Sequence, residues 1–409
     1  MTTMFNQIVF NSFEQTATSN KMDVQLSLMN FSEKFYGKIL EENKICLEKL
    51  ENTFLSPFNI YTTLGMVLSG SALNTKAEIM KTMQLSECLE HDKVHSGISE
   101  LLNNCSKRGG VNIILSSGLF VERDVSIKQQ FEIYLKTYYN ALIEHMTFQT
   151  DIECARKRIN KWVSEQTNGK IQQLLSPGSL KEDTRVVVLA TTYFKGLWKS
   201  AFPVRNSHVD KFFRLDRSKI DVRFMYINSS FGMVSLPHLK SRAIKIPFKS
   251  LKFSLLVVLP NTNDGLPDLL KSLCKDKGIS SILSSNFTDT SIHLYLPKFK
   301  LKEGSAISLV DYLQKMGMRE AFCPGSANFT NMSESSNFCI GDILHKAILE
   351  VDERGAVAAA ATSAKVISLS LCISKEPEVE FRVDHPFFIS IIWNNTVPVF
   401  LGHVVAPTE

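Results

Sequence analysis

Between residues 26 and 42 the chain places Leu28, Phe31, Phe35 and Ile39 at three- and four-residue steps. That spacing gathers apolar side chains on one face of an α-helix. NIYTTLGMVLSGSAL (59–73) predicts a second helix, with small residues along one side that let a neighbour approach closely. The pattern then changes. VNIILSSGLFV (111–121) and TRVVVLATTYF (184–194) are β-branched and nearly uncharged, as expected of buried strands. Helical spacing returns over 127–142 and 151–166. From about 208 to 260 the chain reads as strands: VDKFFRL, VRFMYI, RAIKIPF and FSLLVVLP. GLPDLLKSLC (265–274) and SAISLVDYLQKM (305–316) predict helices. The final FRVDHPFFISIIWNNTVPVFLGHVV predicts two buried strands around a turn at Asn394 and Asn395. Helices dominate the first half and strands the second, which points to an α+β fold rather than a doubly wound sheet.

One stretch fits neither pattern. EVDERGAVAAAATSAKVISLSLC (350–372) runs from a charged lead-in through small residues to an apolar tail, and is uncharged from Ala356 through Ala364. Alanine's intrinsic propensity, taken alone, makes this a helix.

Composition narrows the function classes. Of 409 residues, 44% are hydrophobic and 21% charged, values of an ordinary globular chain. The net charge of +5, from 46 basic and 41 acidic residues, gives no reason to invoke nucleic acid or an anionic membrane. The N-terminal MTTMFNQIVFNSFEQTATSN has neither a basic region nor a long apolar run, so no standard cleavable signal peptide is expected. Apolar runs such as FSLLVVL (253–259) are too short to span a bilayer. Eight cysteines are scattered without a CxxC pair or a zinc-spaced His/Cys cluster, which predicts free thiols. No GxSxG, HExxH, Walker A or GxGxxG motif occurs, and none of the nine histidines sits in a catalytic pattern. No catalytic residue, metal or cofactor is therefore expected, and an enzyme is the weaker hypothesis.

Several segments, in order along the chain, carry a family resemblance. They are NTFLSPFNIYTTLGMVLSGS (52–71), INKWVSEQTNGKIQQLL (159–175), TTYFKGLWKSAF (191–202), LPKFKL (296–301), HKAILEVDERGAVAAAAT (345–362), FRVDHPFFISI (381–391) and PVFLGHVVAPT (398–408). The chain resembles a serpin, a serine protease inhibitor, from about Leu26 to Pro407, and the missing signal peptide resembles the ovalbumin-like branch. The resemblance implies one α+β domain over 23–409 with three β-sheets and about nine helices, preceded by an extension over 1–22 of unknown role. It implies an exposed reactive centre loop at about 354–377 that baits a protease and, once cut, enters the main sheet as a new strand. Relative to many members, 41–51 reads as an insertion extending the first helix.

The bland stretch then has a physical reason. In a strand, Ala356, Ala358, Ala360, Thr362, Ala364, Val366 and Ser368 would point into the core, and all are uncharged and small or modest in size. Buried unpaired charge or added bulk there would oppose insertion. Val357, Ala359, Ala361, Ser363 and Lys365 would face outward, leaving Lys365 solvated. The resemblance makes Glu353, Arg354 and Gly355, with 356–362, the hinge, where glycine lets the backbone swing. Family spacing places the bait fourteen positions after Gly355, at Leu369, with Ser370 beyond the scissile bond. Leu371 is the second choice. The segment from Gly355 to Phe381 is about four residues longer than is common in the family, and counting back from Phe381 gives Ile373 instead. The forward count is preferred because the inserted strand must span a sheet of fixed length. Leucine suits an apolar primary pocket of chymotrypsin-like or elastase-like enzymes and is refused by a trypsin-like one.

The resemblance also assigns Ser56, Asn59 and His345 to a polar shutter beneath the opening sheet, and Trp198, Lys298 and Glu353 to the breach where insertion begins. Ala190 stands where the family usually has asparagine, which puts the shutter's hydrogen bonds in question. Lys107 and Arg108 are too few to predict heparin binding. The expected partner is a target serine protease, held as a covalent acyl complex by a monomer, in the cytoplasm or exported by a non-standard route. Two alternatives remain: a non-inhibitory carrier, chaperone or storage relative, against which the uncharged hinge argues, and an inhibitor of papain-like cysteine proteases.

Overall fold

The computed structural model describes residues 23–42, 50–86, 89–106, 109–275, 278–302, 306–335, 338–354 and 379–408. These form nine α-helices and two hydrogen-bonded sheets. The first helix covers 23–42 and buries Leu28, Phe31, Phe35 and Ile39, as their spacing requires. Pro57–Gly70 begins with proline in its first turn and Ser56 as N-cap, whose hydroxyl accepts from the Asn59 N–H; proline lacks only a donor that the first turn leaves free. Gln129–Tyr139 ends at left-handed Asn140, three residues short of the predicted limit, because the chain turns there into the strand Leu142–Met146. Asp151 caps Ile152–Gln166.

One segment departs from its predicted form. Helical spacing covered 305–316, but only Val310–Lys315 is α-helical, and Ile307–Ser308 forms a short strand opposite His345 and Leu344. The exposed backbone of strand Asp342–Val351 captures residues whose local preference is helical, a tertiary override of propensity.

The six-stranded sheet carries the site. Its order is Phe299–Lys302, Asp342–Val351, Val186–Gly196, Val111–Glu122, Leu142–Met146, with Ile307–Ser308 on the edge. Asp342–Val351 and Val186–Gly196 run parallel, in register from Asp342 with Val187 to Leu349 with Phe194. The nine-stranded sheet holds the other two sheets that the resemblance implies, run together through Lys219–Leu236, which pairs with three other strands. Its C-terminal hairpin joins Phe387–Trp393 to Val397–Val404 through Asn394 and Asn395, both at positive φ, the backbone a tight right-twisted hairpin needs.

Both faces of the six-stranded sheet are covered. Val186, Val188, Phe194, Ile343, Ala347 and Leu349 join the main core, while Val187, Leu189, Tyr193, Leu344 and Ile348 meet Ile159, Trp162 and Val163 of the overlying helix. Gly118 permits that approach: an added Cβ would lie 2.9 Å from the Trp162 ring. Among the described residues no helix is long and apolar enough to cross a membrane.

Candidate functional site

The chain leaves the six-stranded sheet at Val351, turns through Asp352–Arg354, and is next described at Val379, which opens a strand of the nine-stranded sheet. The intervening 355–378 lies outside the described residues. So do Gly355, the hinge positions Ala356–Thr362, and the bait candidates Leu369, Ser370 and Leu371. What is described is the socket around that segment.

At the departure point the three expected breach residues converge. The Trp198 indole N–H donates to the Asp352 carbonyl at 2.8 Å, and its ring stacks on Phe248 with centroids 4.6 Å apart. The Phe202 N–H donates to the Glu353 carbonyl at 2.9 Å and the Trp198 N–H to that of Arg354 at 3.4 Å. The Glu353 carboxylate takes the Ser207 hydroxyl at 3.0 Å and lies 3.4 Å from Lys298 Nζ. Burial pushes the Glu353 carboxyl up, but its own N–H, Ser207 and Lys298 outweigh that and hold it below the usual carboxylate value. Just inside, Lys195 reaches both Glu350, at 3.2 Å, and Asp352, at 3.4 Å, and Lys300 reaches Glu350 at 2.8 Å. Backbone, ring and charge thus clamp the turn to the strand Val186–Gly196 and to Trp198, Phe202 and Ser207 just beyond it.

Lower in the same pair of strands, Ser56, Asn59 and His345 form one buried network. The Ser56 hydroxyl donates to the Val399 carbonyl at 2.9 Å, which ties the helix start to the nine-stranded sheet. The Ser56 N–H donates to His345 Nε2 at 3.0 Å, and His345 Nδ1–H donates to the Ala190 carbonyl at 2.8 Å. Those two bonds fix the imidazole as its neutral Nδ1–H tautomer, and burial pushes it down to about 4, against the opposing pull of the Ala190 carbonyl. Asn59 Nδ2 donates to the Thr191 carbonyl at 3.0 Å and to the Thr192 hydroxyl at 2.9 Å, while its Oδ1 accepts from Ser117 at 3.2 Å. With alanine at 190, the strand contributes its backbone carbonyl, and the Ser117 and Thr192 hydroxyls complete the set. Sequence reading missed Thr192 and Ser117; their signal is the hydroxyl pairs Ser116-Ser117 and Thr191-Thr192 inside otherwise apolar strands.

The space between Asp342–Val351 and Val186–Gly196 is where a further strand would change the sheet most favourably. The two are parallel, so a strand running antiparallel to both replaces one parallel ladder with two antiparallel ones, the better-bonded kind. Its side chains would alternate between the His345 and Asn59 side and the face beneath Ile152–Gln166. The second face is therefore not open solvent, as the alternation alone suggested, because Val187, Leu189, Leu344 and Ile348 are buried there against the helix. A strand entered here, as the resemblance expects of 356–363, would meet packed residues on both faces, and both alternating sets of that stretch are small. Lys346, buried on that face, sends its ammonium to the Gln173 carbonyl at 3.1 Å, a precedent for lysine there.

A model of the family described as Serpin (serine protease inhibitor) matches residues 26–407. Serpin B4 of Homo sapiens is 32% identical over 396 residues, covering 93% of this chain and 100% of that relative. The leukocyte elastase inhibitor of Xenopus laevis is 32% identical over 386 residues, covering 92% and 98%. The crystal structure of uncleaved ovalbumin aligns with a TM-score of 0.81 at 28% identity, over 94% of this chain and 100% of that one.

Proposed function

The chain belongs to the serpin family of serine protease inhibitors, in its ovalbumin-like branch, and from that premise we propose that it is an irreversible suicide substrate for serine endopeptidases with an apolar primary pocket. The protease serine attacks the Leu369 carbonyl, the bond to Ser370 breaks, and Ser370 leaves with a free amine. The acyl-enzyme ester then stays attached to Leu369 while the segment behind it enters between Asp342–Val351 and Val186–Gly196.

The observation that carries this reading is the parallel pair itself, clamped at Glu353 above and at His345 below, beside a segment whose alternating residues are small on both faces. From Gly355 to Leu369 an extended strand reaches about 46 Å, at roughly 3.3 Å per residue, so cleavage at Leu369 carries the attached enzyme the length of the sheet. Leu371 is the next candidate bond. The 28–32% identical relatives include one named as an elastase inhibitor, which favours elastase-like or chymotrypsin-like targets. The ovalbumin-like branch favours a cytoplasmic or unconventionally exported inhibitor.

The test is incubation with chymotrypsin or neutrophil elastase, followed by a denaturing gel and mass spectrometry. The expected result is a complex that survives denaturation, with release of a peptide beginning at Ser370. Clean cleavage without a complex, and no gain in thermal stability afterwards, refutes inhibition and moves the chain to the non-inhibitory class.

A further inference from the structure

His91 and His95 open the helix His91–Ser106 one turn apart, on the face packed against Gln129–Tyr139. Residues four apart on a helix are surface neighbours. The two imidazole centroids are 4.3 Å apart, and Tyr134 meets the His95 ring edge-on at 5.2 Å. The two Nε2 atoms face each other at 3.2 Å. Each opposite nitrogen faces an oxygen: His95 Nδ1 hydrogen-bonds the Tyr139 hydroxyl, and His91 Nδ1 lies 3.7 Å from the Asp92 carboxylate.

Two nitrogens bound tetrahedrally to zinc at about 2.0–2.1 Å are about 3.3 Å apart. Metal-bound histidines typically donate their other ring N–H to a carboxylate or another oxygen. The nitrogen spacing meets the first condition, His95 meets the second through Tyr139, and on His91 the Asp92 carboxylate stands 3.7 Å from the corresponding nitrogen. We propose that His91 and His95 form a two-histidine site for a divalent transition metal of the zinc class, bound through both Nε2 atoms, with water completing the coordination.

The chemistry around the pair fits. Burial, with smaller contributions from His91 and Lys76, pushes His95 down to about 3, and burial likewise lowers His91, so both rings offer lone pairs at neutral pH. Without metal, one Nε2 carries the hydrogen that bridges to the other. On binding, that proton moves to the same ring's Nδ1, where Tyr139 or Asp92 accepts it, so no net proton is released. Lys76, from Leu73–Thr82, opposes a cation, and Asp92 favours it. The tyrosines of the facing helix add no charge, since burial raises both Tyr134 and Tyr139. Among the described residues no third histidine, cysteine, aspartate or glutamate completes the set, which makes the site exchangeable rather than structural. The His91 side chain, 30% exposed, is the entry.

Nickel chloride is the probe, because imidazole takes nickel whereas thiolates compete for zinc. Titration calorimetry of the full chain should show one site that weakens at least tenfold in His91→Ala and several-fold in Asp92→Asn. Saturating nickel should raise the thermal midpoint of the wild type and leave that of His91→Ala unmoved. Equal nickel binding by wild type and His91→Ala, or no binding at several hundred micromolar nickel, overturns the proposal. Both substituted residues are at least partly exposed, so the variants fold.

Discussion

Lowering the pH from 7.5 to 5.0 is predicted to remove about 2 kcal/mol of native stability through His345 alone. Its native value is about 4, against about 6.5 for an unfolded histidine. The cause is local. The Ser56 N–H already occupies Nε2 as a donor, so a second ring proton would set N–H against N–H in a buried site that holds no carboxylate partner in its network. The sign comes from proton counting. Between the two values the unfolded chain binds a proton that the native chain refuses, and stability falls wherever that is so. The contribution is complete above pH 6.5 and is lost progressively as pH falls toward 4. At pH 5.0 the unfolded imidazole is about 97% protonated and the native one about 10%, which gives the figure of about 2 kcal/mol. Buried His95, at about 3, and His403, at about 4, act in the same direction, so the total loss in the wild type is larger. The assay is therefore a difference: urea unfolding of wild type and His345→Gln at both pH values. The variant should be less stable at pH 7.5, because the Ser56 N–H loses its partner. Its further loss on going to pH 5.0 should be smaller than that of the wild type by about 2 kcal/mol. Equal pH losses in the two proteins would refute the reasoning.

Asn59→Ala removes both amide donors and the acceptor of Ser117, and should cost about 2–4 kcal/mol in urea unfolding at pH 7.5, with a loss below about 1 kcal/mol contradicting the network. Ala358→Arg or Ala360→Glu should raise several-fold the number of inhibitor molecules consumed per protease trapped. Undiminished stoichiometry would show that these positions do not enter the core. Lys298→Ala should change stability by about 0–1 kcal/mol, since its side chain is 35% exposed, whereas Glu353→Ala, which frees Ser207 as well, should cost about 1–3 kcal/mol; equal effects would refute the unequal burial. Gly118→Val drives a side chain into Trp162 and should cost about 1–3 kcal/mol with a shift in tryptophan emission, and an unchanged spectrum would show that the helix does not press on the sheet there.

Where one element decides its own form, the sequence was readable. Leu28, Phe31, Phe35 and Ile39 need only one helix face, and Asn394-Asn395 need only a turn. Legibility failed where a distant partner decides. Ile307–Ser308 belongs to a helical pattern until Asp342–Val351 offers it a ladder. Ser56, Asn59 and His345 were found by resemblance, but Ser117 and Thr192 were not, because a pair of hydroxyls in an apolar strand marks a polar spot without saying which helix it faces. The Lys195–Glu350 contact joins residues 155 apart in sequence, and no local pattern announces it. His91 and His95 show their four-residue spacing plainly, but the facing of both Nε2 atoms depends on the tyrosines of another helix.

The same geometry explains why a cut, rather than a contact, would release the loop. Residue 354 is tied to the six-stranded sheet through Trp198 and Asp352, and residue 379 to the nine-stranded sheet through its pairing with Ile292. A segment anchored in two different sheets can run its full length into one of them only by giving up the other anchor, which means stripping Val379–Arg382 from Thr288–Pro297 together with the Arg382–Asp210 ion pair at 2.9 Å. The proposed cleavage at Leu369 would remove that requirement without touching either sheet. Entry is then opposed by the parallel ladder and the bonds that cross it. Of these, His345 to Ala190 joins one strand to the other, whereas Asn59 holds Thr191 and Thr192 on a single strand. Opening the pair would thus break the His345–Ala190 bond together with the Lys195–Glu350 contact, and can leave the Asn59 bonds intact on the strand Val186–Gly196.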